Sequence, residues 1–498
     1  MTVEADRLAA EYFDTGTLSG LPADHFIDGR WCPPVHGRTM ETFDPGLGRA
    51  YHQFAAGDAD DIAAAVDSAV RAGRDWARTR PAGRGNILAR AAALLREEAP
   101  RLAVIESLDS GKPLAEAEGD VAGAARTFEY YAAAANTLQG DSFPLGHDYL
   151  GYSIIEPVGL TAHIIPWNYP LSTAARGIAP ALAAGCTVIA KPAEQTPMTA
   201  LLLAELLHRA GLPAGVCNVV TGTGGQAGAP LVRHPAVRHV SFTGSVQTGI
   251  NVMQEAAANV TRVLLELGGK SPVVVLADAD LDAAVEGILG AIFENAGQIC
   301  SAGSRLVIDR RIHGEVVSRL VERAESLTIG HGLRRPQFGP LNSVEHLSRV
   351  AAHVEGARAR GLSILTGGRP TMDPQTGKGW FFEPTIIDAA PADDPVVQQE
   401  IFGPVLVVQP FDTEEEALAL ANGTDYGLVA GVYTRDFSAA HRLARDIDAG
   451  QVFINEYFAG GIEVPFGGNK MSGFGREKGL AALDAYSRVK SVAARIGG

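Results

Sequence analysis

"LTAHIIPWNYPLSTAARGIAPALAAGCTVIAKP", residues 160–192, decides the fold. Two short apolar runs, "LTAHII" (160–165) and "TVIAK" (187–191), flank an alanine-rich segment, "STAARGIAPALAAG" (172–185), that closes on a glycine. Short apolar runs rich in β-branched residues and bounded by Pro and Gly read as buried strands, and the segment between them as a helix. A strand, a helix and a second strand form a parallel crossover unit. The pattern continues in "VCNVV" (216–220), "RHVSF" (238–242) and "TRVLLE" (261–266), separated by the helical stretches "MTALLLAELLHRAG" and "VQTGINVMQEAAAN". Alternation of this kind predicts a doubly wound parallel sheet, whose ligands gather at the C-terminal ends of the strands.

Working outward, "DADDIAAAVDSAVRAGRDWA" (58–77) and "GNILARAAALLREEAPRLAVIESLDSG" (85–111) are helical, with Asp58 and Asp60 as cap candidates and Gly111 as a stop. Residues 1–25 read as an extension before "FIDGRWCPP" (26–34), where packed structure is expected to begin. A second α/β region runs from "SPVVVLADAD" (271–280) to about residue 460, interrupted by a Pro/Gly-rich surface loop at 366–380. The tail "AYSRVKSVAARIGG" is too short and too polar to fold alone, so it must dock, and a neighbouring subunit is the natural place.

Composition narrows the function. With 498 residues, 46% hydrophobic and 20% charged, the chain is globular and large enough for two or three domains. A net charge of −15 without a Lys/Arg block argues against nucleic acid or an anionic membrane as partner. The N-terminus carries acids early and lacks an apolar signal core, and no apolar run reaches the roughly 18 residues of a membrane span. Four cysteines, at 32, 186, 217 and 300, are too sparse for a disulfide framework, so a cytoplasmic protein with reduced thiols is expected. The 13 histidines form no paired metal-ligand motif, and no metal site is expected.

Three residues carry the chemistry. Cys186 and Cys217 sit in or beside apolar strands and read as small buried hydrophobes. Cys300, in "GQICSAGS", follows a helix and lies among small residues, where space and backbone N–H groups suit a nucleophilic thiolate. Glu266 ends a strand and is followed by Gly268 and Gly269, which places a carboxylate at the sheet rim with room beside it for general-base work. Asn168, stiffened by Pro166 and Pro170, offers an amide donor to an oxyanion. The inert alternatives are a spare thiol, a capping glutamate and a turn asparagine. A thiol hydrolase built on Cys300 and Glu266 is a further alternative.

"PWNYP", "KPAEQTP", "FTGS", "LELGGK", "GQICSAGSR", "EIFGP" and "PFGGNKMSGFGRE" occur in the order found in the aldehyde dehydrogenase superfamily. The chain resembles that family from about Phe26 to Lys490, in its hydrolytic rather than coenzyme A-acylating form, since Glu266 is present. The resemblance implies two doubly wound α/β domains and a small β oligomerisation arm: residues 1–136 and 157–267 for NAD binding, 268–465 for catalysis, 137–156 and 466–498 for the arm. A homodimer or homotetramer is implied.

It also implies that Cys300 attacks the aldehyde, that Asn168 and the Cys300 N–H hold the oxyanion, and that Glu266 activates the water that hydrolyses the thioester. The cofactor is expected against Ile164, Pro166, Trp167, Lys191, Glu194, Gly224, the turn Gly244, Ser245, Thr248 and Gly249, and Glu400 and Phe402. "GTGGQA" (222–227) imitates a dinucleotide fingerprint but lacks the acidic residue about 20 positions later, so its glycines read as turn formers. Glu194 would accept from ribose hydroxyls and repel a 2′-phosphate, which favours NAD over NADP. The substrate pocket is expected at Tyr169, Arg176, Glu294, Ile299, Ser301, Phe458 and Phe466. Arg176 and Glu294 depart from the family's commonest aromatic residues. The expectation is that they pair with each other or with other protein charges, leaving apolar walls for a bulky neutral aldehyde, aromatic, aliphatic or terpenoid. The alternatives are a semialdehyde read by Arg176 or an aminoaldehyde read by Glu294.

Overall fold

A computed structural model describes residues 2–497. The five expected strands form the parallel centre of one sheet. In spatial order they are Cys217–Val219, Thr187–Pro192, Leu160–Ile165, Val237–Thr243 and Arg262–Glu266. Antiparallel strands close both edges, His25–Ile27 against Cys217–Val219 and Gly473–Phe474 against Arg262–Glu266. The chain winds from Leu160–Ile165 in one direction and then restarts on its other side with Val237–Thr243. That reversal opens a crevice beyond the C-terminal ends of these two strands. Pro166–Asn168 and Gly244–Ser245 stand on its two lips.

A second, mostly parallel sheet holds Thr385–Asp388, Val405–Phe411, Arg305–Asp309, Pro272–Val275, Val429–Tyr433 and Gln451–Ile454. Its N-terminal edge faces the C-terminal edge of the first, because residues 267–271 are all that separate Glu266 from Pro272. The loops that precede Arg305 and Val405 therefore point at the same gap.

Two boundaries differ from the sequence reading. Residues 466–498 do not act as one arm. Gly473–Phe474 joins the first sheet, and Ala482, Leu483 and Tyr486 are buried in its core. Only Ser487–Arg495 leaves, pairing antiparallel with Tyr149–Pro157. The N-terminal segment is also no loose extension. Thr2–Thr15 is a helix whose Ala5, Leu8, Ala9 and Tyr12 recur at helical spacing and are buried. Tyr12 Oη donates to Asp44 Oδ2 at 2.5 Å, and His331 Nε2 lies 2.9 Å from the same oxygen. Tyr12→Phe is expected to cost about 1–3 kcal/mol in urea unfolding, since it strips a donor from a buried carboxylate. A change below about 0.5 kcal/mol would show that the helix is held by packing alone.

Among the described residues, no helix is long and apolar enough to cross a membrane.

Candidate active site

Cys300 is presented by a strained loop. Helix Leu281–Phe293 is capped by Asp280, whose carboxylate accepts from Ala283 N at 3.2 Å, and gives way to a tight 3₁₀ turn at Glu294–Gly297. Asn295, Ala296 and Gly297 then take φ of 47°, 53° and 72°, a run of left-handed residues that L side chains adopt at a cost. Hydrogen bonds hold the loop there: Asn295 N to Glu116 Oε2 at 3.0 Å, Gln298 Nε2 to Asn295 O at 2.9 Å, and Asn342 N to Gln298 Oε1 at 2.9 Å. Gly297 is obligatory, because a Cβ would stand 2.3 Å from Gly403 O. Gly269 packs as closely, its Cβ position lying 2.4 Å from Cys300 O. The "GG" of "LELGGK" thus lets the Glu266 strand end touch the Cys300 loop.

Cys300 is half-buried, and all four cysteines are free thiols. Desolvation pushes its thiol up to about 12, and the Arg176 guanidinium pulls the other way by favouring the thiolate. Cys186 and Cys217 are buried in the core, pushed up to about 11 and about 12 with no catalytic neighbour.

Asn168 is clipped to the same loop. Its Nδ2 donates to Gln298 O at 2.9 Å, and its own carbonyl accepts from Asn295 Nδ2 at 3.2 Å. Glu266 is buried, and neither carboxylate oxygen has a hydrogen-bond partner among the described residues. Burial, then the neighbouring Glu477 carboxylate, raise it well above the usual carboxylate range, while Arg176, Arg476 and Lys478 oppose them.

At the crevice, Lys191 Nζ is buried and donates to the half-exposed Glu194 at 3.2 Å. Ser245 caps helix Val246–Ala257, accepting from Thr248 N at 3.3 Å. The remaining first-turn N–H groups and the helix dipole suit a phosphate. Gly249 is a packing glycine, since a Cβ would meet Leu267 Cδ2 at 2.5 Å. Gly224 opens a single π turn, Gly224–Gly228, with nothing within 4 Å of its Cβ position. Trp167 stands edge-on to Phe402, ring centroids 5.3 Å apart, with the half-buried Ile164 and Pro166 beside it in the chain. Glu400 Oε1 accepts from Gly269 N at 2.9 Å, and burial raises its carboxyl to about 7. Backbone donors, an ammonium and two carboxylates along one crevice fit a dinucleotide.

The pocket decides between the two pairings expected of Arg176. Arg176 does not pair with Glu294. It makes its ion pair with buried Glu477 and lies over the Phe466 ring, 4.9 Å from the centroid. Glu294 instead accepts from Tyr169 Oη at 3.4 Å. Burial and Asp120 raise Glu294, and burial and Glu294 raise Glu116 to about 8. Lys112 Nζ sits 3.9 Å from the Tyr169 ring centroid but is engaged by Asp120 at 2.5 Å. Ile299 and Ser301 are buried, and Ser301 O accepts from Tyr457 Oη at 2.9 Å. Phe466 is buried as well, while Phe458 is exposed at φ 70°.

The aldehyde dehydrogenase family model matches residues 31–492. The chain is 42% identical over 480 residues to hydroxyisobutyraldehyde dehydrogenase of Mycolicibacterium austroafricanum, covering 96% of this chain and 95% of the relative. It is 43% identical over 472 residues to betaine aldehyde dehydrogenase of Cereibacter sphaeroides, covering 94% and 96%. Among solved structures, indole-3-acetaldehyde dehydrogenase of P. syringae, a cysteine mutant in complex with NAD+ and IAA, superposes with a TM-score of 0.95 at 38% identity, covering 98% and 99%. This chain belongs to the aldehyde dehydrogenase family.

In this aldehyde dehydrogenase Arg176 and Glu266 lie near enough to act on the Cys300 thiol, Asn168 is tied to the Cys300 loop, and the structure adds other residues. Glu477 lay inside the quoted motif "PFGGNKMSGFGRE", yet nothing in one dimension put it against Arg176, 301 positions away. Glu116 carries no motif. Its contact with Asn295 spans 179 positions and could be found only in three dimensions.

Proposed function

We propose that this protein oxidises an aldehyde to the carboxylic acid with NAD as electron acceptor, through a thioester on Cys300 that water hydrolyses. The observation that carries the reading is the meeting of three groups: Asn168, clipped by Gln298 O at 2.9 Å to the Cys300 loop, and Glu266, its oxygens without a partner among the described residues and near enough to act on the Cys300 thiol.

Cys300 Sγ, as the thiolate that Arg176 favours, bonds to the carbonyl carbon, its proton having left to solvent. The second N–H of Asn168 Nδ2 and the Cys300 N–H hold the resulting oxyanion of the thiohemiacetal. NAD, held by Lys191, Glu194, the Ser245 helix N-terminus and Glu400, supplies the hydride acceptor that makes oxidation to the thioester possible. Glu266 then takes a proton from water. The water oxygen bonds to the acyl carbon, the C–S bond breaks, and the acid leaves with Cys300 regenerated.

Because Arg176 is ion-paired with Glu477, its charge is already offset and a semialdehyde is disfavoured, although its buried Nε has no partner among the described residues. The reading is a bulky neutral aldehyde between Tyr169, Phe458 and Phe466. An aminoaldehyde is the second reading, favoured by one observation: the carboxyls crowd here, Asp120 raising Glu294 and Glu294 raising Glu116, while the nearby cation Lys112 is held by Asp120. The ribbon of Tyr149–Pro157 and Ser487–Arg495 exposes Tyr149, Leu150, Tyr152, Ile154 and Val489, apolar surface that a second copy would cover in a homodimer or homotetramer.

NADH formation across aliphatic, aromatic, terpenoid, carboxylated and amino aldehydes tests the reading. Neutral bulky substrates are expected to win with NAD. Glu194→Gln is expected to raise NADP use relative to NAD by about tenfold, since the repelling charge is gone. Ester cleavage without NADH from any aldehyde would leave a thiol hydrolase in its place.

A further inference from the structure

Resting on the thioester reading, the surroundings of Glu266 raise a question that reading leaves open: what keeps a buried carboxylate ionised so that it can take a proton from water? Glu266 Oε1 faces the backbone at Gly467, where a Cβ would come within 2.8 Å of it. The preceding residue, Phe466, forms an antiparallel bridge with Glu477, each N–H donating to the other's carbonyl at 2.7 Å. A second carboxylate, that of Glu477, is thereby fixed near Glu266, and its Oε1 is buried without a partner.

Glu477 acts against the charged form of Glu266, and Arg176, Arg476 and Lys478 act for it, while Glu266 in turn acts on the Cys300 thiol. Arg176 is taken by Glu477. Arg476 spends its donors on Gly468 O, Gly475 O and Asn469 Oδ1. Lys478 acts on Glu266 less strongly than these two, and it is the one of the three cations whose side chain has no ion pair or hydrogen bond among the described residues. Its Nζ lies over Phe466, 5.3 Å from the ring centroid, where Arg176 also stacks. Its backbone is pinned at φ 60°, a conformation rare outside glycine. Pinning comes from both sides, from the Glu477 bridge and from Gly479, whose N donates to Ile462 O at 2.7 Å and whose O accepts from Tyr131 Oη at 2.9 Å.

We propose that Lys478 is a positioning residue for hydrolysis: its ammonium, held on Phe466 beside the Phe466–Glu477 bridge, opposes Glu477 and favours the carboxylate form of Glu266 that accepts the water proton. Consistent with this placement, Cys300, Glu266 and Glu477 all favour the charged form of Lys478, against burial and Arg176, which bring it down to about 8. The ammonium is therefore present through neutral pH and lost as pH rises through about 8.

The sign of the effect follows from charge. Removing a nearby cation raises the pKa of a carboxylate, so the acid limb of hydrolysis moves to higher pH. The probe is p-nitrophenyl acetate, which acylates Cys300 with loss of p-nitrophenolate and leaves the same thioester for water to cleave. A burst of p-nitrophenolate reads acylation, and the steady rate after it reads hydrolysis. In Lys478→Met the burst amplitude is expected to stay, while the acid limb of the steady rate shifts up by about one pH unit. Lys478→Arg, which keeps the cation, is expected to hold the limb near wild type. Lys478→Gln replaces the methionine variant where that one does not fold. An unmoved limb in Met or Gln, an equal shift in Arg, or no burst in wild type would overturn the proposal. Failure of the oxidation itself looks different: no NADH from any aldehyde while the burst and the shifted limb remain.

Discussion

Cys300→Ala is expected to lower NADH formation by at least about a thousandfold, because the variant removes the atom that forms the bond to substrate. No other thiol can replace it. Cys186 donates to Tyr486 O at 3.2 Å inside the core, Cys217 lies in a central strand, and Cys32 leans on the carbonyl of Ile27 at 3.7 Å. The fold should survive the change. The loop is held by Asn295, Gln298 and the backbone rather than by the sulfur, so the unfolding midpoint is expected to stay within a degree or so of wild type. NAD affinity should stay too, since Lys191, Ser245 and Glu400 are untouched. Activity within tenfold of wild type, on protein shown to bind NAD, would remove Cys300 from the chemistry.

The parallel core was legible because its strands are buried on both faces and so read as unbroken apolar runs. Leu160–Ile165 has the bounds expected, and the other four fall within one residue of theirs at every end. Thr2–Thr15 was not, because the apolar face of this helix is covered only by residues far along the chain, and Tyr12 meets Asp44, which His331 also contacts. The long helical pattern at 85–111 contains Pro100, and the structure breaks there into Pro81–Glu97 and Ala99–Ser110. At the site, Cys300, Glu266 and Asn168 announced themselves by residue type beside glycine and proline. Arg176 and Glu294 did so only through the resemblance, as departures from the family's commonest aromatic residues, and sequence could not say which charge each would meet. That choice was made by the Phe466–Glu477 bridge, a contact between a loop and its own return, which no periodicity records.

Glu266→Gln separates the two halves of the reaction. The amide keeps shape and volume but cannot take a proton from water, so the steady rate is expected to fall by about a hundredfold to ten-thousandfold. Acylation should persist. Glu266 is among the groups that hold the Cys300 thiol up, and its charge opposes the thiolate, so neutralising it favours the nucleophile rather than impairing it. Rapid mixing with NAD and an aldehyde should therefore give a burst of NADH close to one per active site, followed by near arrest, with the acyl group recoverable on Cys300. Loss of the burst together with the steady rate would place Glu266 in the oxidation step. Retention of both would mean that another base reaches the thioester, and Glu477, with its buried unpartnered Oε1, would then be the first residue to replace.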